Sequence, residues 1–312
     1  MHYLDHAATT PVPAAVAAVM TEVLTQSYGN PSAQYALGRQ ARDLVERSRG
    51  TIARALACRP EQVVFTSCGT EGDNWAIRAA LYQNRRVGKH IITTAAEHSA
   101  VLQCLKKLEQ EGYAVTYLKP DGMGRIAPRQ VEDALRADTA LVSVMLVNNE
   151  TGVRFPVEEI AALLKNRDTL LHTDAVQGFL KLPFTAQSLG ADYITLSAHK
   201  TGGPKGIGAL YTGGRAKNVQ PMFYGGGQEA GLRPGTEPTA QIAGFAKAVE
   251  LRMETQEETR RHLAACRAYA LERLGAIPDL QTVGAGDAPH ILSVSLPGYP
   301  SQNIVSELSE KG

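Results

Sequence analysis

The stretch Val63-Val64-Phe65-Thr66-Ser67-Cys68-Gly69-Thr70-Glu71-Gly72 holds the logic of the fold in miniature. Its first residues are apolar or β-branched and read as a buried strand. Ser67 to Gly69 make a tight turn, and the residues over 70–81 carry a helical pattern. The same rhythm returns in short apolar runs at 90–94, 114–118, 141–147, 170–173, 193–196 and 207–211, with helical patterns between them. Strands that alternate with helices predict an α/β fold, a mainly parallel sheet with helices on both faces. Ligands of such sheets sit beyond the carboxyl ends of the strands, so the polar residues that close each run are the ones to weigh.

Past residue 238 the pattern changes. Ile242, Phe245, Ala246, Val249 and Met253 recur at three- and four-residue spacing and predict a long helix reaching Leu274. Strand-like runs follow at 280–283 and 291–296. Ser301 is then expected to cap a helix over 303–311, with Gly312 in the C-cap position. The 312 residues suit one large domain with a smaller companion. The expected division is a large domain over 14–240 and a smaller α+β domain from 1–13 and 241–312, whose C-terminal end is expected to be incomplete.

Composition narrows the partners. Lys and Arg number 32 against 31 Asp and Glu, which leaves no basic stripe for nucleic acid and no acidic tail. No run approaches the roughly 20 apolar residues of a membrane span, and the first residues lack the pattern of a signal peptide. Cys58, Cys68, Cys104 and Cys266 are scattered without a Cys-x-x-Cys pair, against a zinc site or a disulfide framework. A cytoplasmic enzyme acting on a small molecule, with no metal, is the expectation.

Chemistry concentrates after the strands. Lys200, in Ser197-Ala198-His199-Lys200-Thr201-Gly202-Gly203-Pro204-Lys205-Gly206, reads as a phosphate ligand, as an amine nucleophile for a carbonyl cofactor, or as a plain solvated loop lysine. Asp174, in Leu170-Leu171-His172-Thr173-Asp174-Ala175-Val176-Gln177, ends a strand one helix and one strand earlier. Pyridoxal 5′-phosphate (PLP) needs an anion to keep its ring nitrogen protonated, which suits this acid, although an N-cap explains Asp174 alone equally well. Gly69 and Thr70 open a helix behind a strand, a place where free N–H groups meet phosphate or simply make a tight connection. His98 follows a strand as a cap, a core residue or a proton shuttle. Asn149, in Asn148-Asn149-Glu150-Thr151-Gly152, offers an amide or an ordinary turn.

Taken together, these segments resemble the NifS/IscS-type cysteine desulfurases of the class V aminotransferase family, PLP enzymes of fold type I. The resemblance runs from Tyr3-Leu4-Asp5-His6-Ala7-Ala8-Thr9-Thr10 through Gly29-Asn30-Pro31-Ser32, Thr70-Glu71, Glu97-His98 and Asn148-Asn149-Glu150. It continues through Asp174-Ala175-Val176-Gln177, the stretch 197–208, and Gly225-Gly226-Gly227-Gln228-Glu229 to Gly235-Thr236. It implies that Lys200 carries PLP as a Schiff base, Asp174 faces the pyridine nitrogen, His98 stacks on the ring, Gln177 meets the ring oxygen and Asn149 lies beside ring and substrate. Gly69, Thr70, Ser197 and His199 would hold the phosphate, joined by Thr236 from the other subunit of a homodimer. The activity implied converts L-cysteine to L-alanine. The sulfur passes through an enzyme persulfide to acceptors such as an iron–sulfur scaffold or a tRNA-thiolation enzyme.

Cys68-Gly69 stands where Gly-Ala is commoner in the family, Tyr35 where histidine is frequent, and Gly72 where serine or asparagine is. The family's nucleophilic cysteine and its carboxylate-binding arginine are expected downstream of Gly312, and none of the four cysteines matches the nucleophile's motif. Two other readings are carried forward: another class V reaction, such as selenocysteine lyase or transaminase, and a non-catalytic PLP-fold assembly partner.

Overall fold

A computed structural model describes residues 2–312. The strands are β1 (Val63–Thr66), β2 (His90–Thr94), β3 (Ala114–Leu118), β4 (Thr139–Ser143), β5 (Leu170–Asp174), β6 (Tyr193–Ser197), β7 (Gly208–Thr212), β8 (Gln281–Val283) and β9 (Ser293–Ser295). The helices are α1 (Ala14–Thr25), α2 (Ala36–Leu56), α3 (Gly69–Gln83), α4 (Ser99–Gln110), α5 (Pro128–Ala134), α6 (Val157–Leu164), α7 (Ala186–Leu189), α8 (Thr239–Leu274) and α9 (Ser301–Lys311). The first seven strands form one sheet in the order β1-β7-β6-β5-β4-β2-β3. β2, β3, β4, β5 and β6 pair in parallel, while β7 runs against both β1 and β6. β8 and β9 form a separate antiparallel pair.

Side-chain alternation explains the two covered faces. Val63 and Phe65 of β1, Ile92 of β2, Val142 of β4 and Ile194 of β6 join a core with α2, α5, α6, α7 and the start of α8. Their neighbours Val64, Ile91, Leu141 and Tyr193 point the other way, into a core with α3 and α4. Every residue of β1, β2, β4, β5 and β6 is buried, as strands covered on both sides must be.

Two expectations need correction. The apolar run at 141–147 is a strand only as far as Ser143. The Val144 and Leu146 N–H groups still reach the β5 carbonyls of His172 and Asp174, but the Met145 N–H donates to both carboxyl oxygens of Glu97 at 3.0 and 3.1 Å. A side chain there takes the place of a ladder bond. Ser301 is not a cap but the first helical residue; Pro300 stands at the cap, its ring holding φ at −59°.

α8 crosses the residue 240/241 division as one continuous helix. Its buried residues all lie between Ala240 and Val249, packed on α1 and α2, and the rest of its length is largely exposed.

Candidate active site

The strand ends converge as the parallel topology requires. A cavity of about 430 Å³ opens at the carboxyl edge of the sheet, between the N-terminal segment, the start of α3 and the turn after β6. Among the residues named from the sequence, Gly69, Thr70, His98, Asn149, Asp174, Gln177, Ser197, His199 and Lys200 all line it. Thr236 does not. Its neighbours Gly235 and Glu237 line a smaller cavity, and the surrounding loop is held by ion pairs between Arg233 and Glu71 (3.0 Å) and between Arg49 and Glu229 (2.7 Å).

Lys200 lies in a 3₁₀ turn, Ala198–Lys200, directly behind β6. Its Nζ donates to the carbonyls of Ala7 and Ala8, both at 2.7 Å. Burial holds its pKa below the ordinary lysine value, against the opposing pull of Asp174 and Asp5. A larger fraction of free amine is what a lysine nucleophile needs. His199 accepts from or donates to the Thr9 hydroxyl through Nδ1 (3.2 Å), and burial followed by the neighbouring Lys200 lowers its pKa to about 4.

Asp174 closes β5. Its Oδ1 accepts from the Val176 N–H at 2.9 Å, so it does cap the following turn while still facing the cavity. Burial, and then the nearby Asp73, push its carboxyl up to about 7. An acid this dry lacks a counter-charge, and a protonated ring nitrogen would supply one. His98 is likewise both cap and cavity wall: its Nδ1 accepts from the Ala100 N–H at 3.2 Å at the head of α4.

The end of the cavity beside α3 is built from the residues that follow β1 and β6. α3 begins at Gly69, which brings the unpaired N–H groups of its first turn to the cavity. A Cβ at Gly69 would come within 3.1 Å of Val176 Cγ2, so the turn is already closely packed. The Ser197 hydroxyl is buried with no hydrogen-bond partner, an orphan that a phosphate oxygen would satisfy. These residues therefore fit PLP: an acid for the ring nitrogen, an amine for its carbonyl, and a helix N-terminus with an orphan hydroxyl for its phosphate.

Gln177 is oriented from behind. Its Oε1 accepts from Lys181 Nζ at 2.9 Å and its Nε2 donates to the Ala7 carbonyl at 2.8 Å. The sequence reading missed Lys181, Asp5, Asp73, Glu97 and Glu150. Asp5, Asp73 and Glu150 line the cavity itself, whereas Glu97 is a fully buried acid lifted to about 8 by its burial. Asp73 had a legible signal: it is a charged residue on the face of α3 that also carries Ala76, Ile77 and Ala80, all buried.

Comparison with known proteins agrees with this geometry. A family model described as aminotransferase class-V matches residues 2–312. A Bacillus subtilis protein named putative cysteine desulfurase IscS 1 is 39% identical over 99% of this chain and 82% of its own length. A solved structure of a NifS-like protein superposes with a TM-score of 0.95 at 36% identity, covering 99% of this chain and 86% of that one. A second, SspA in complex with cysteine, gives 0.86 at 34% identity over 99% and 87%. On the family match over residues 2–312 and these relatives, the chain belongs to the aminotransferase class-V family, among its NifS/IscS-type cysteine desulfurases.

Proposed function

We propose that this chain is a PLP-dependent cysteine desulfurase, converting L-cysteine to L-alanine and passing the sulfur as a persulfide to acceptors for iron–sulfur assembly or tRNA thiolation. The observation that carries the reading is the convergence of Lys200, Asp174 and His98 on one cavity whose far end is a helix N-terminus. When bound, PLP supplies the electron sink that chemistry at an amino-acid α-carbon requires. Asp174 is the residue to hold the proton on the ring nitrogen. Lys200, with its lowered pKa, is suited to attach the cofactor and to take a proton at Nζ. His98 forms the wall against the ring, Asn149 the flank beside the substrate, and Gln177 the contact for the ring oxygen. Gly69, Thr70, Ser197 and His199 grip the phosphate.

The same reading makes the protein a cytoplasmic homodimer in which Thr236 of a second copy completes each phosphate site. It takes residues 14–240 as the cofactor-holding unit, with 1–13 and 241–312 as the smaller one.

None of the four cysteines suits the sulfur-accepting role. Burial raises Cys58 and Cys104 to about 11, so neither is a ready thiolate. Cys266 is exposed on α8, and Cys68 lines the cavity in the turn assigned to phosphate. Residues 1–312 should therefore bind PLP and L-cysteine without releasing sulfide. The reading is tested in deuterated buffer: the holo-protein should exchange the α-proton of L-alanine and change its visible absorption on adding L-cysteine. Absence of both responses would sink the proposal. Sulfide release abolished by Cys68→Ser would instead move the nucleophile to Cys68.

A further inference from the structure

Behind Asp174 lies a polar network that the reaction as described does not use. Asp73, in the second turn of α3, is 1% exposed, and its Oδ1 is buried without a hydrogen-bond partner. It lines the same cavity as Asp174. The Thr195 hydroxyl of β6 is its polar neighbour, and His172 Nε2 of β5 lies 3.5 Å from Oδ1. His172 Nε2 is 3.0 Å from Thr195 Oγ1, and its Nδ1 is 2.9 Å from Ser143 Oγ on β4. Three adjacent strands and one helix thus meet in a dry chain, Asp73–Thr195–His172–Ser143.

Burial lowers His172 to about 4, so the imidazole is neutral and its contact with Asp73 is not an ion pair. A neutral imidazole donates from one nitrogen and accepts at the other. When Nδ1 donates to Ser143, Nε2 accepts the single proton of Thr195, and the Thr195 oxygen is left as an acceptor for a protonated Asp73. The opposite tautomer frees the Thr195 proton for an ionised Asp73, which would then be a buried charge. That charge would also stand near Asp174 and Glu97 with no cation to balance it.

We propose that Asp73 is a positioning residue that works as a neutral acid, donating to Thr195 and leaving Asp174 as the single negative charge facing the cofactor's ring nitrogen. This rests on the reading of Asp174 given above. Two like charges in a dry site cannot both ionise readily, and the partner bonded to a neutral acceptor chain is the one to keep the proton. The groups that face Asp73 agree: His172 and Asp174 from β5, Thr195 from β6, Glu97 after β2 and Cys104 from α4. None is a cation. Burial raises Asp73 itself to about 7. Gly72 contributes by its size, since a Cβ there would come within 2.8 Å of Thr195 Cγ2 and shift the hydroxyl.

The test compares Asp73→Asn, Asp73→Leu, Thr195→Val and Asp174→Asn. Two readouts are used: the PLP dissociation constant of the refolded apo-protein, and the infrared difference spectrum of the holo-protein at pH 6. Asparagine donates as a protonated acid does and carries no charge. Asp73→Asn should therefore keep PLP affinity within about threefold, while Asp73→Leu and Thr195→Val each weaken it about tenfold by stranding a buried polar group. Wild type minus Asp73→Asn should show a protonated-carboxyl stretch that persists in Asp174→Asn. If Asp73→Asn loses affinity as Asp174→Asn does, or the carboxyl band is missing, Asp73 is charged and the proposal is overturned. It is overturned equally if Leu and Val leave affinity unchanged. If Asp174→Asn alone binds normally, the fault lies in the reading of Asp174 instead. Thr195→Val keeps the shape of the side chain, so the hydroxyl is tested even should Asp73→Leu fail to fold.

Discussion

The two walls of the cavity are opposites. One carries Asp73 and Asp174, with Glu97 buried nearby, acids raised to about 7, 7 and 8. The other carries Lys200, His199 and, behind Gln177, Lys181, bases that burial lowers, His199 to about 4 and Lys181 to about 7. Burial pushes the acids up and the bases down, although Asp174 and Asp5 pull Lys200 the other way. Had the walls faced each other as ion pairs, the acids would have fallen and the bases risen. The difference teaches that the charges wait for a third party: a ligand cationic where it meets the acids and anionic where it meets the bases. PLP, with a protonable ring nitrogen and a phosphate, has that polarity.

The base wall can be broken most severely. Lys200→Ala should remove covalent capture of PLP and cut α-proton exchange by about a thousandfold or more, since it deletes both attachment point and proton acceptor. Exchange rates within tenfold of wild type would show that another base serves. On the acid wall, Asp174→Asn should keep the fold and lower exchange about a hundredfold, the loss of one strong charge interaction at the ring. A near-normal exchange rate with L-alanine would remove Asp174 from the site.

A smaller effect concerns the proposed share of a second copy in the phosphate site. Thr236→Ala should weaken PLP binding about fivefold through one lost hydrogen bond to phosphate, in a protein that sediments as a two-fold dimer. A monomer that binds PLP tightly would contradict the composite site.

The smallest effect sharpens the acid wall. Unfolded carboxyls titrate near 4, and these three titrate higher in the fold. A raised folded pKa means that the native state holds more protons between those values. The stability these acids contribute is fully present below pH ~4 and is lost as pH climbs through about 7 to 8. These acids therefore pull the melting temperature of the apo-protein down between pH 5 and pH 8, and Glu97→Gln should relieve that pull by about a few degrees. An unchanged slope in Glu97→Gln would place its carboxyl in the ionised state.

Much of this was legible in the sequence because burial and periodicity are local signals. The runs expected to end at Thr66, Thr173 and Leu196 became strands ending at Thr66, Asp174 and Ser197, and the helix reaching Leu274 followed its three- and four-residue spacing. What was not legible depends on contacts across the chain. The shortening of the 141–147 strand comes from Glu97, which takes the Met145 N–H. Asp73 acts beside Thr195, which lies on β6, far along the chain from α3. Spacing shows that a residue lies on a buried face, not which hydroxyl it meets there.

The central claim is that Lys200 is the amine of this site, and Lys181 makes the claim demanding. Burial lowers both lysines, and Lys181 is close enough to feel Lys200. The direct measurement is borohydride reduction of the PLP-loaded protein, followed by proteolysis and mass mapping of the pyridoxyl label. Lys200 lines the cavity, while Lys181 is turned away onto Gln177, so the account predicts the label on Lys200. A label found mainly on Lys181 or Lys205 would contradict it.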